Sequence, residues 1–141
     1  MAEDVAVFYE QQLDEDAVRM AAFEPRESRE EFFARWQRII GSDQEFARAV
    51  LVDGVLAGNI GSWPVPEGRM VGYWLGREFW GRGVATSALR AFLTEDTSRP
   101  LHAIVATHNV ASKRVLEKNG FVEVERRVAE DGVEEYLTIL R

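Results

Sequence analysis

Two Asp-Gly dipeptides, each set between apolar runs of strand length, limit what this chain can fold into. Asp-Gly at such a place is a strong signal for a β-hairpin, because the tight turn requires positive φ at both of its central residues. Asp53-Gly54 joins predicted strands at Phe46–Val52 and Val55–Trp63, and Asp131-Gly132 joins predicted strands at Phe121–Val128 and Val133–Leu140. The sequence therefore predicts an antiparallel hairpin in the first half of the chain and another at its end.

Between the hairpins the apolar spacing alternates between strand and helix. Pro64 and Pro66 bracket a predicted loop, and strands are predicted at Met70–Leu75 and Leu101–Ala106. A helix is predicted after Gly83, and its apolar positions are Val84, Ala88, Leu89 and Phe92. Asn109 is a predicted cap of a further helix, which Asn119-Gly120 ends.

Two helices are predicted before the first hairpin. The first runs from about Asp14 to Ala22. The second starts at Ser28, which has capping-box spacing to Glu31, and ends at Gly41. Its apolar residues Phe32, Phe33, Trp36, Ile39 and Ile40 recur at steps of three and four.

The predicted element order is αα-ββ-β-α-β-α-ββ. The strand–helix–strand units in the middle favour parallel pairing, whereas the hairpins are antiparallel. We therefore expect an α/β (α+β) fold, with a mixed sheet flanked by helices. At 141 residues and 46% apolar composition, residues 1–141 are predicted to form a single domain.

Composition excludes several classes of function. The chain has no cysteine and only two histidines, so thiolate chemistry, iron–sulfur clusters and a structural metal site are not expected. The net charge of −7 makes nucleic acid a poor partner. The acidic start Met1-Ala2-Glu3-Asp4 is unlike a secretory signal, and no apolar run reaches the roughly 20 residues of a membrane span. A cytoplasmic protein with no membrane partner is predicted.

The segment between the third predicted strand and its helix, residues 81–86, has the composition of an anion site. Gly81 and Gly83 leave backbone N–H groups unobstructed, and the start of the helix adds unpaired N–H groups and the positive end of its dipole. No Gly-Lys-Ser/Thr follows, so it is not a P-loop, and Thr86 replaces the third glycine of a dinucleotide fingerprint. A pyrophosphate site and an ordinary glycine turn are both compatible with this segment alone.

A second motif, Thr107-His108-Asn109-Val110-Ala111-Ser112-Lys113-Arg114-Val115-Leu116-Glu117-Lys118-Asn119-Gly120-Phe121, follows the next strand. Together with Gly72-Tyr73-Trp74-Leu75 and the glycine loop, it resembles the GCN5-related N-acetyltransferase (GNAT) superfamily, in its ribosomal-protein (RimJ/RimL-type) branch. The resemblance extends from about Phe8 to Leu140 and is strongest over Met70–Phe121.

The resemblance implies a centrally splayed sheet that binds acetyl-CoA as cosubstrate, without a metal. The strand before the loop would pair with the pantetheine arm through Tyr73, Trp74 and Leu75. The residues implied for the pyrophosphate are Gly81, Arg82, Gly83, Val84, Ala85 and Thr86. Asn109 matches a residue that contacts the pantetheine or the acetyl region. Trp80 stands where many relatives have glutamine or arginine, and we expect it to pack the loop.

The sequence shows no obvious general base for deprotonating the amine. Where some relatives carry a glutamate, this chain has Ile104. The remaining candidates are Glu67, His102 and His108. Glu67 also fits a solvated loop charge and His102 also fits a core position, and a water chain to a distant carboxylate is a further route.

The general acid for the leaving thiolate is also unusual. Leu116 stands where many relatives have a tyrosine, and leucine cannot donate a proton. Ser112 occupies a serine position typical of the ribosomal-protein branch, where the resemblance places it near the sulfur. Ser112 is therefore a candidate acid, while a helix serine that satisfies a backbone group is the alternative.

The resemblance predicts an N-acetyltransferase for a primary amine, either a small molecule or a peptide N-terminus, working as a monomer or a homodimer. A catalytically weak CoA-thioester-binding module and a different phosphate binder are the alternatives. Phe23, Phe33, Trp36, Trp63 and Tyr136 are candidates for lining the acceptor site or for the core. Glu24, Glu27, Glu30 and Glu31 are candidates for attracting a cationic acceptor or for a solvated helix start.

Overall fold

Six strands form one mixed sheet in the computed structural model, which describes residues 2–14 and 28–141. The strands are β1 (Phe46–Val52), β2 (Val55–Val65), β3 (Gly68–Leu75), β4 (Leu101–Ala106), β5 (Val122–Val128) and β6 (Glu134–Leu140). The helices are α1 (Val5–Gln12), α2 (Arg29–Gly41), α3 (Val84–Glu95) and α4 (Val110–Lys118), with short 3-10 turns at Ala2–Asp4 and Arg77–Phe79. The strand order is β1-β2-β3-β4-β6-β5, so the predicted class of mixed sheet flanked by helices is confirmed.

Both predicted hairpins form, and the first has the geometry that its sequence requires. Asp53 and Gly54 have φ values of 49° and 79°, so both turn residues lie in the left-handed region. The predicted loop between Pro64 and Pro66 is shorter than expected, because β2 continues to Val65. β1 begins opposite Ser62, so this last part of β2 has lost one neighbour, and proline is tolerated at such an edge.

The caps predicted for α2 and α4 are present. The Ser28 hydroxyl accepts a hydrogen bond from the Glu31 N–H at 3.1 Å, and the Glu31 carboxylate accepts one from the Ser28 N–H. The Asn109 side chain caps α4. The first predicted helix, Asp14–Ala22, lies outside the described residues beyond Asp14. α1, at Val5–Gln12, was not predicted, because its buried stripe consists of only Val5, Phe8 and Gln12.

Parallel pairing occurs at one of the two predicted strand–helix–strand units. β3 and β4 are parallel neighbours. β4 and β5 are not neighbours, because β6 lies between them and pairs antiparallel with both. The last hairpin therefore turns its final strand back into the sheet rather than extending it at the edge.

The helices cover the sheet from both sides. α3 and α4 pack on one face, where Leu89, Phe92 and Leu116 join the main hydrophobic core. α1 and α2 cover the β1–β2 part of the opposite face, with Phe8 and Trp36 in contact at a ring-centroid distance of 4.9 Å. In the part of the chain that the structure describes, none of the helices is long and apolar enough to cross a membrane.

A buried carboxylate connects the end of α3 to the sheet. Asp96 accepts hydrogen bonds from the hydroxyl of Ser62 on β2 and from the N–H of Ser98, the latter at 3.0 Å. Arg69 on β3 donates to the Ser62 hydroxyl at 3.0 Å and lies 3.5 Å from the Asp96 carboxylate. Burial alone raises the pKa of Asp96, but the hydrogen bonds from Ser62 and Ser98 and the charge of Arg69 outweigh it and hold the pKa below its ordinary value.

Asp96→Asn is expected to lower the free energy of unfolding at pH 7 by about 2 kcal/mol, the range for hydrogen bonds to charged groups. Because the folded-state pKa is lowered, the carboxylate stabilises the fold above its unfolded pKa, near 3.9, and loses this effect as the pH falls toward the folded value. Urea unfolding at several pH values tests this. The difference in the free energy of unfolding between Asp96→Asn and wild type should shrink below about pH 4. The control Asp43→Asn, at an exposed site, should not differ from wild type at any pH.

Candidate functional site

A cleft opens where β3 and β4 separate. Their register contains a single pair, Met70 with His102, although β3 pairs with β2 along its whole length and β4 pairs with β6 along its whole length. Beyond that pair, residues 71–75 and 103–106 diverge and line a cavity of about 440 Å³. The facing backbone edges of two strands are therefore available to a ligand. This confirms the predicted splay of the sheet.

The separated end of β3 is held in place by contacts on its other side. The carbonyl of Ala57 on β2 accepts from the Gly76 N–H at 2.8 Å and from the side-chain amide of Gln11 on α1 at 3.0 Å. The Trp74 indole donates to the Gln11 carbonyl at 3.1 Å. These bonds attach the strand end to α1 and β2, so it does not need β4 as a partner.

Trp80 contributes to the same strand end. Its indole N–H donates to the carbonyl of Leu75 at 3.2 Å, and its side chain lines the cleft. Trp80 is thus attached to the end of β3 and partly exposed at the cleft, and its expected packing of the loop against the helix stays a prediction.

The glycine loop leaves the N-terminus of α3 open toward the cleft. Gly81 and Gly83 have φ values of 73° and 74°, and a Cβ at either residue would meet no atom within 4 Å. Gly83 is the N-cap of α3, and none of the described side chains caps the helix. The amides of Val84, Ala85 and Thr86 are in the first turn, where N–H groups have no partner within the helix. All three residues line the cleft.

The charges around this cleft differ from the average of the chain. Arg114 and Lys118 on α4 line it, and no carboxylate is among the lining residues that the structure describes. The predicted ligand Arg82 lies elsewhere, with its guanidinium 5.6 Å from the centre of the Phe79 ring, and it is not part of the lining. In a chain of net charge −7, the cleft is therefore a local cationic site.

Tyr73 and Ser112, predicted for separate roles, are in direct contact. The Tyr73 hydroxyl on β3 lies 2.6 Å from the Ser112 hydroxyl on α4, and both residues line the cleft. Burial raises the pKa of Tyr73 above its ordinary value, and the hydrogen bond with Ser112 offsets part of the rise. The phenol is thus neutral at physiological pH. Sequence reasoning missed this pair, because 39 residues separate its members and nothing local connects them.

Asn109 and Ser112 are also linked through the helix cap. The Asn109 side-chain oxygen accepts from the Ser112 backbone N–H at 3.2 Å, so the cap does not use the serine hydroxyl. Asn109 lines the cleft, as do Ile104 and the buried Leu116. The two positions where relatives carry a glutamate and a tyrosine therefore face the cleft here with apolar side chains.

The structure places the candidate bases outside the cleft. His102 is buried, and its Nδ1 lies 3.3 Å from the Arg69 carbonyl. Glu67 is exposed in the β2–β3 turn, and His108 is exposed next to Asn109. None of the three belongs to the lining of the cleft or of the cavity described next.

A second cavity, of about 720 Å³, lies between α1, α2 and the β1–β3 part of the sheet. Gly72, Tyr73 and Trp74 line both cavities, so β3 separates them. Of the predicted acceptor-site residues, Trp36 and Trp63 line this cavity. Phe33 packs in the α1–α2 core and Tyr136 in the main core, while Phe23, Glu24 and Glu27 lie outside the described residues. Glu45, which the sequence analysis missed, is the one carboxylate among the described lining residues.

Comparison with known proteins identifies relatives with the same fold. Residues 1–122 match the family described as Acetyltransferase (GNAT) domain. A Bacillus subtilis (strain 168) protein named as a ribosomal N-acetyltransferase, YdaF, is 31% identical over 102 residues. That match covers 67% of this chain and 56% of YdaF, so it spans little more than half of the relative.

Two solved structures show how closely the fold agrees. The spermidine N-acetyltransferase of Vibrio cholerae, in complex with CoA and spermine, superposes with a TM-score of 0.84 at 17% identity, over 98% of this chain and 89% of that one. RimL, a ribosomal L7/L12 α-N-protein acetyltransferase in complex with CoA, superposes with a TM-score of 0.83 at 18% identity, over 99% and 89%. At 17% and 18% identity, these similarities show a shared fold.

The raised pKa of Tyr73 can be measured by alkaline titration of phenolate absorbance. Subtracting the curve of Tyr73→Phe from that of the wild type isolates the signal of Tyr73. The midpoint should lie above the ordinary value near 10, because burial opposes the charged phenolate. Ser112→Ala should raise the midpoint further, since it removes the hydrogen bond that lowers the pKa. Ser87→Ala, at an exposed serine on α3, is the control and should leave it unchanged. A midpoint at or below 10 would contradict the buried pair.

Proposed function

Because the chain belongs to the Acetyltransferase (GNAT) domain family, we propose that it transfers an acetyl group from acetyl-CoA to a primary amine. The observation that carries this proposal is the separation of β3 from β4 beside the uncapped N-terminus of α3. An exposed strand edge can pair with the amide groups of a pantetheine arm, and helix N–H groups favour phosphate. The cleft thus offers both contacts to one long anionic ligand.

The residues present fit acetyl-CoA. Open space above Gly81 and Gly83 allows a pyrophosphate to approach the backbone, and Arg114 and Lys118 add positive charge. Tyr73, Trp74 and Leu75 present the strand edge, and Asn109 lines the inner part of the cleft. In this proposal the anion is held by the amides of residues 81–86, while Arg82 contributes its backbone rather than its side chain.

Two cavities that share β3 suit a direct transfer. Acetyl-CoA supplies a thioester carbonyl for attack by the amine. β3 holds the donor cleft on one side and the acceptor cavity on the other, and residues 72–74 line both. Bringing two reactants together in this way lowers the entropic part of the barrier. A backbone N–H of the separated strand is available to stabilise the developing oxyanion.

The amine must lose a proton, and this site matches an amine that loses it easily. Within residues 2–14 and 28–141, no carboxylate or histidine lines the donor cleft. Deprotonating an alkyl amine of pKa about 10.4 costs roughly 4–5 kcal/mol at pH 7, whereas an α-amine near 7.7–8.0 costs about 1 kcal/mol. Glu45 in the acceptor cavity replaces His102 and Glu67 as the candidate proton acceptor, because it alone of the three lines a cavity.

Ser112 is proposed as the proton donor to the leaving thiolate. Its hydroxyl lies in the cleft, and its backbone N–H, not this hydroxyl, takes part in the α4 cap. The neutral Tyr73 phenol at 2.6 Å fixes its orientation and can return a proton to it. In this proposal the two hydroxyls provide the proton that a tyrosine at the position of Leu116 would provide in many relatives.

The proposal also covers the class of the acceptor amine, the cellular location and the oligomeric state. The relatives named above include enzymes for a polyamine and for ribosomal-protein N-termini, so a small amine or a peptide N-terminus is the proposed acceptor class. A cytoplasmic location, one domain over residues 1–141, and a monomer or homodimer stay predictions from the sequence. The rival function, a CoA-thioester-binding module of weak activity, rests on the apolar Ile104 and Leu116 and would show binding without turnover.

Gly83→Ala is expected to weaken acetyl-CoA binding at least about tenfold, or 1.4 kcal/mol, because the added Cβ occupies the space that a pyrophosphate needs. Gly54→Ala is a matched control, since Gly54 also has positive φ and open space but lies in the first hairpin. Both variants should lose about 1–2 kcal/mol of stability. Calorimetric titration with acetyl-CoA, with ATP as a second ligand, is the measurement. Equal affinity in both variants would contradict the loop assignment, and no acetyl-CoA binding by the wild type would overturn the proposed function.

Ser112→Ala is expected to lower kcat about 100-fold, the lower range for general acid catalysis, while the Kd for acetyl-CoA stays unchanged. The defect should shrink with an acetyl thioester of a more acidic thiol, since that leaving group needs less help from a proton donor. Steady-state kinetics with both thioesters, and Ser87→Ala as control, give the comparison. Wild-type turnover in Ser112→Ala would reduce the serine to a structural partner of Tyr73.

A further inference from the structure

The end of α4 contains an asparagine that its backbone conformation does not require. Asn119-Gly120 is the predicted stop of this helix. The left-handed residue that ends a helix is usually glycine and sometimes asparagine, and here Gly120 takes this role with a φ of 91°. Asn119 has a φ of −101°, a value that any residue adopts. The helix stop therefore does not explain why position 119 is an asparagine.

The side-chain amide of Asn119 joins the two helices that flank the donor cleft. Its Nδ2 donates to the Val115 carbonyl in the last turn of α4 at 3.0 Å. The same Nδ2 donates to the Thr86 carbonyl in the first turn of α3 at 3.3 Å. The backbone N–H of Asn119 bonds to the Leu116 carbonyl at 3.0 Å, so the Val115 carbonyl is left to the side chain. One NH2 group thus holds the first turn of α3 against the last turn of α4.

These two turns carry the groups proposed to bind the pyrophosphate. The first turn of α3 presents the amides of residues 84–86, and α4 presents Arg114 and Lys118, all of them in the cleft lining. Arg114 and Lys118 are four residues apart, so they lie on one face of α4. Asn119 is half-buried and is not among the residues that line the cleft. Its side chain would therefore act on a ligand through the two helices that it joins.

The same groups repel one another when no anion lies between them. The N-terminus of α3 is the positive end of its helix dipole, and the two side chains of α4 carry full positive charges. Among the lining residues that the structure describes, no carboxylate offsets them. Packing of Ala85 and Val115 on the main core holds the helices on the sheet, but apolar contacts have no preferred direction. A directional bond between the helices opposes the repulsion and fixes the distance between the two sets of positive groups.

Resting on the acetyl-CoA binding proposed above, we propose that Asn119 is a positioning residue for the pyrophosphate of the acyl donor. By joining Thr86 to Val115, it sets the distance between the amides of α3 and the cations of α4 before the ligand binds. The pyrophosphate then meets both sets of groups without having to draw the helices together, which lowers the cost of binding. The pantetheine arm pairs with β3, so its binding does not depend on this distance.

The test compares ligands that contain or lack the pyrophosphate. CoA has the pyrophosphate and the pantetheine arm, pantetheine has only the arm, and inorganic pyrophosphate has only the anion. Calorimetric titration measures the Kd for CoA, and NMR shift titration measures the weaker binding of the two fragments. Asn119→Ala is expected to weaken the binding of CoA and of pyrophosphate about tenfold, the upper range for one net hydrogen bond. The Kd for pantetheine should stay unchanged.

Two further variants separate this effect from a loss of stability. Asn119→Leu has a similar side-chain volume without the amide, so it should show the same selective loss as Asn119→Ala. Asp96→Asn destabilises the protein at the opposite end of α3, and it should bind all three ligands as the wild type does. Thermal unfolding verifies that each variant is folded at the temperature of the titrations.

A double-mutant cycle tests whether Asn119 acts through the cations of α4. Lys118→Gln removes one of these cations and should weaken CoA binding on its own. In Asn119→Ala this cation is no longer held at its distance from α3, so the loss caused by Lys118→Gln should be smaller in that background. Additive losses would mean that Asn119 acts independently of the cations and would overturn the proposal.

Other results would also overturn the positioning role. These are an unchanged Kd for CoA in Asn119→Ala, equal losses for CoA and pantetheine, and a selective loss of CoA binding in Asp96→Asn. Lack of pyrophosphate binding by the wild type would count against it too, because the two helices would then not form an anion site. In each of these results the wild type still binds CoA. Failure of the wild type to bind CoA would instead overturn the proposed function, so the two failures are distinguishable.

Discussion

The separation of β3 from β4 is the constraint on which the rest of the site depends. One registered pair, Met70 with His102, keeps the two halves of the sheet together, and beyond it each strand pairs only with its outer neighbour. Unpaired strand edges are costly when buried, so the opening persists only because other groups fix it. Gln11 and the Ala57 carbonyl hold the β3 end on one side, and Trp80 satisfies the Leu75 carbonyl. In the proposed function, a ligand with its own amide groups completes the pairing that the sheet leaves open.

The charges that line the two cavities differ from the net charge of the chain. The chain is acidic overall, yet the described part of the donor cleft presents helix N–H groups, Arg114 and Lys118 without a carboxylate. The acceptor cavity presents two arginines and one glutamate among its described residues. An acidic surface and cationic cavities together favour anionic or neutral ligands at the site and oppose diffuse binding of polyanions elsewhere. The described lining of both cavities thus differs in sign from the net charge of the chain.

Local signals predicted most of the fold, and long-range contacts account for what they missed. The Asp-Gly hairpins, the Ser28–Glu31 capping box and the Asn109 cap depend on residues within a few positions of one another, and each is present. The insertion of β6 between β4 and β5 depends on sheet register, which no local pattern specifies. The same holds for the site. The glycine loop was visible in the sequence, whereas the Tyr73–Ser112 pair and the Asp96 cluster join residues more than thirty positions apart. The side chain of Arg82 lies beside Phe79 and outside the cleft lining, because a sequence shows the charge of a side chain but not its direction.

The Tyr73–Ser112 hydroxyl pair offers a reason why this chain can have Leu116 where many relatives have a tyrosine. Ser112 and Leu116 are four residues apart, so they lie one turn from each other on the same face of α4, and both line the donor cleft. Leu116 is almost fully buried and belongs to the main core, so position 116 serves packing here. In the proposed mechanism the proton-donating hydroxyl is that of Ser112 in the neighbouring turn, which contacts the Tyr73 phenol of β3. In that proposal two elements share a task that the resemblance assigns to one tyrosine side chain in many relatives. The pair joins two elements across the cleft, because Tyr73 is on β3, Ser112 is on α4, and both residues line it.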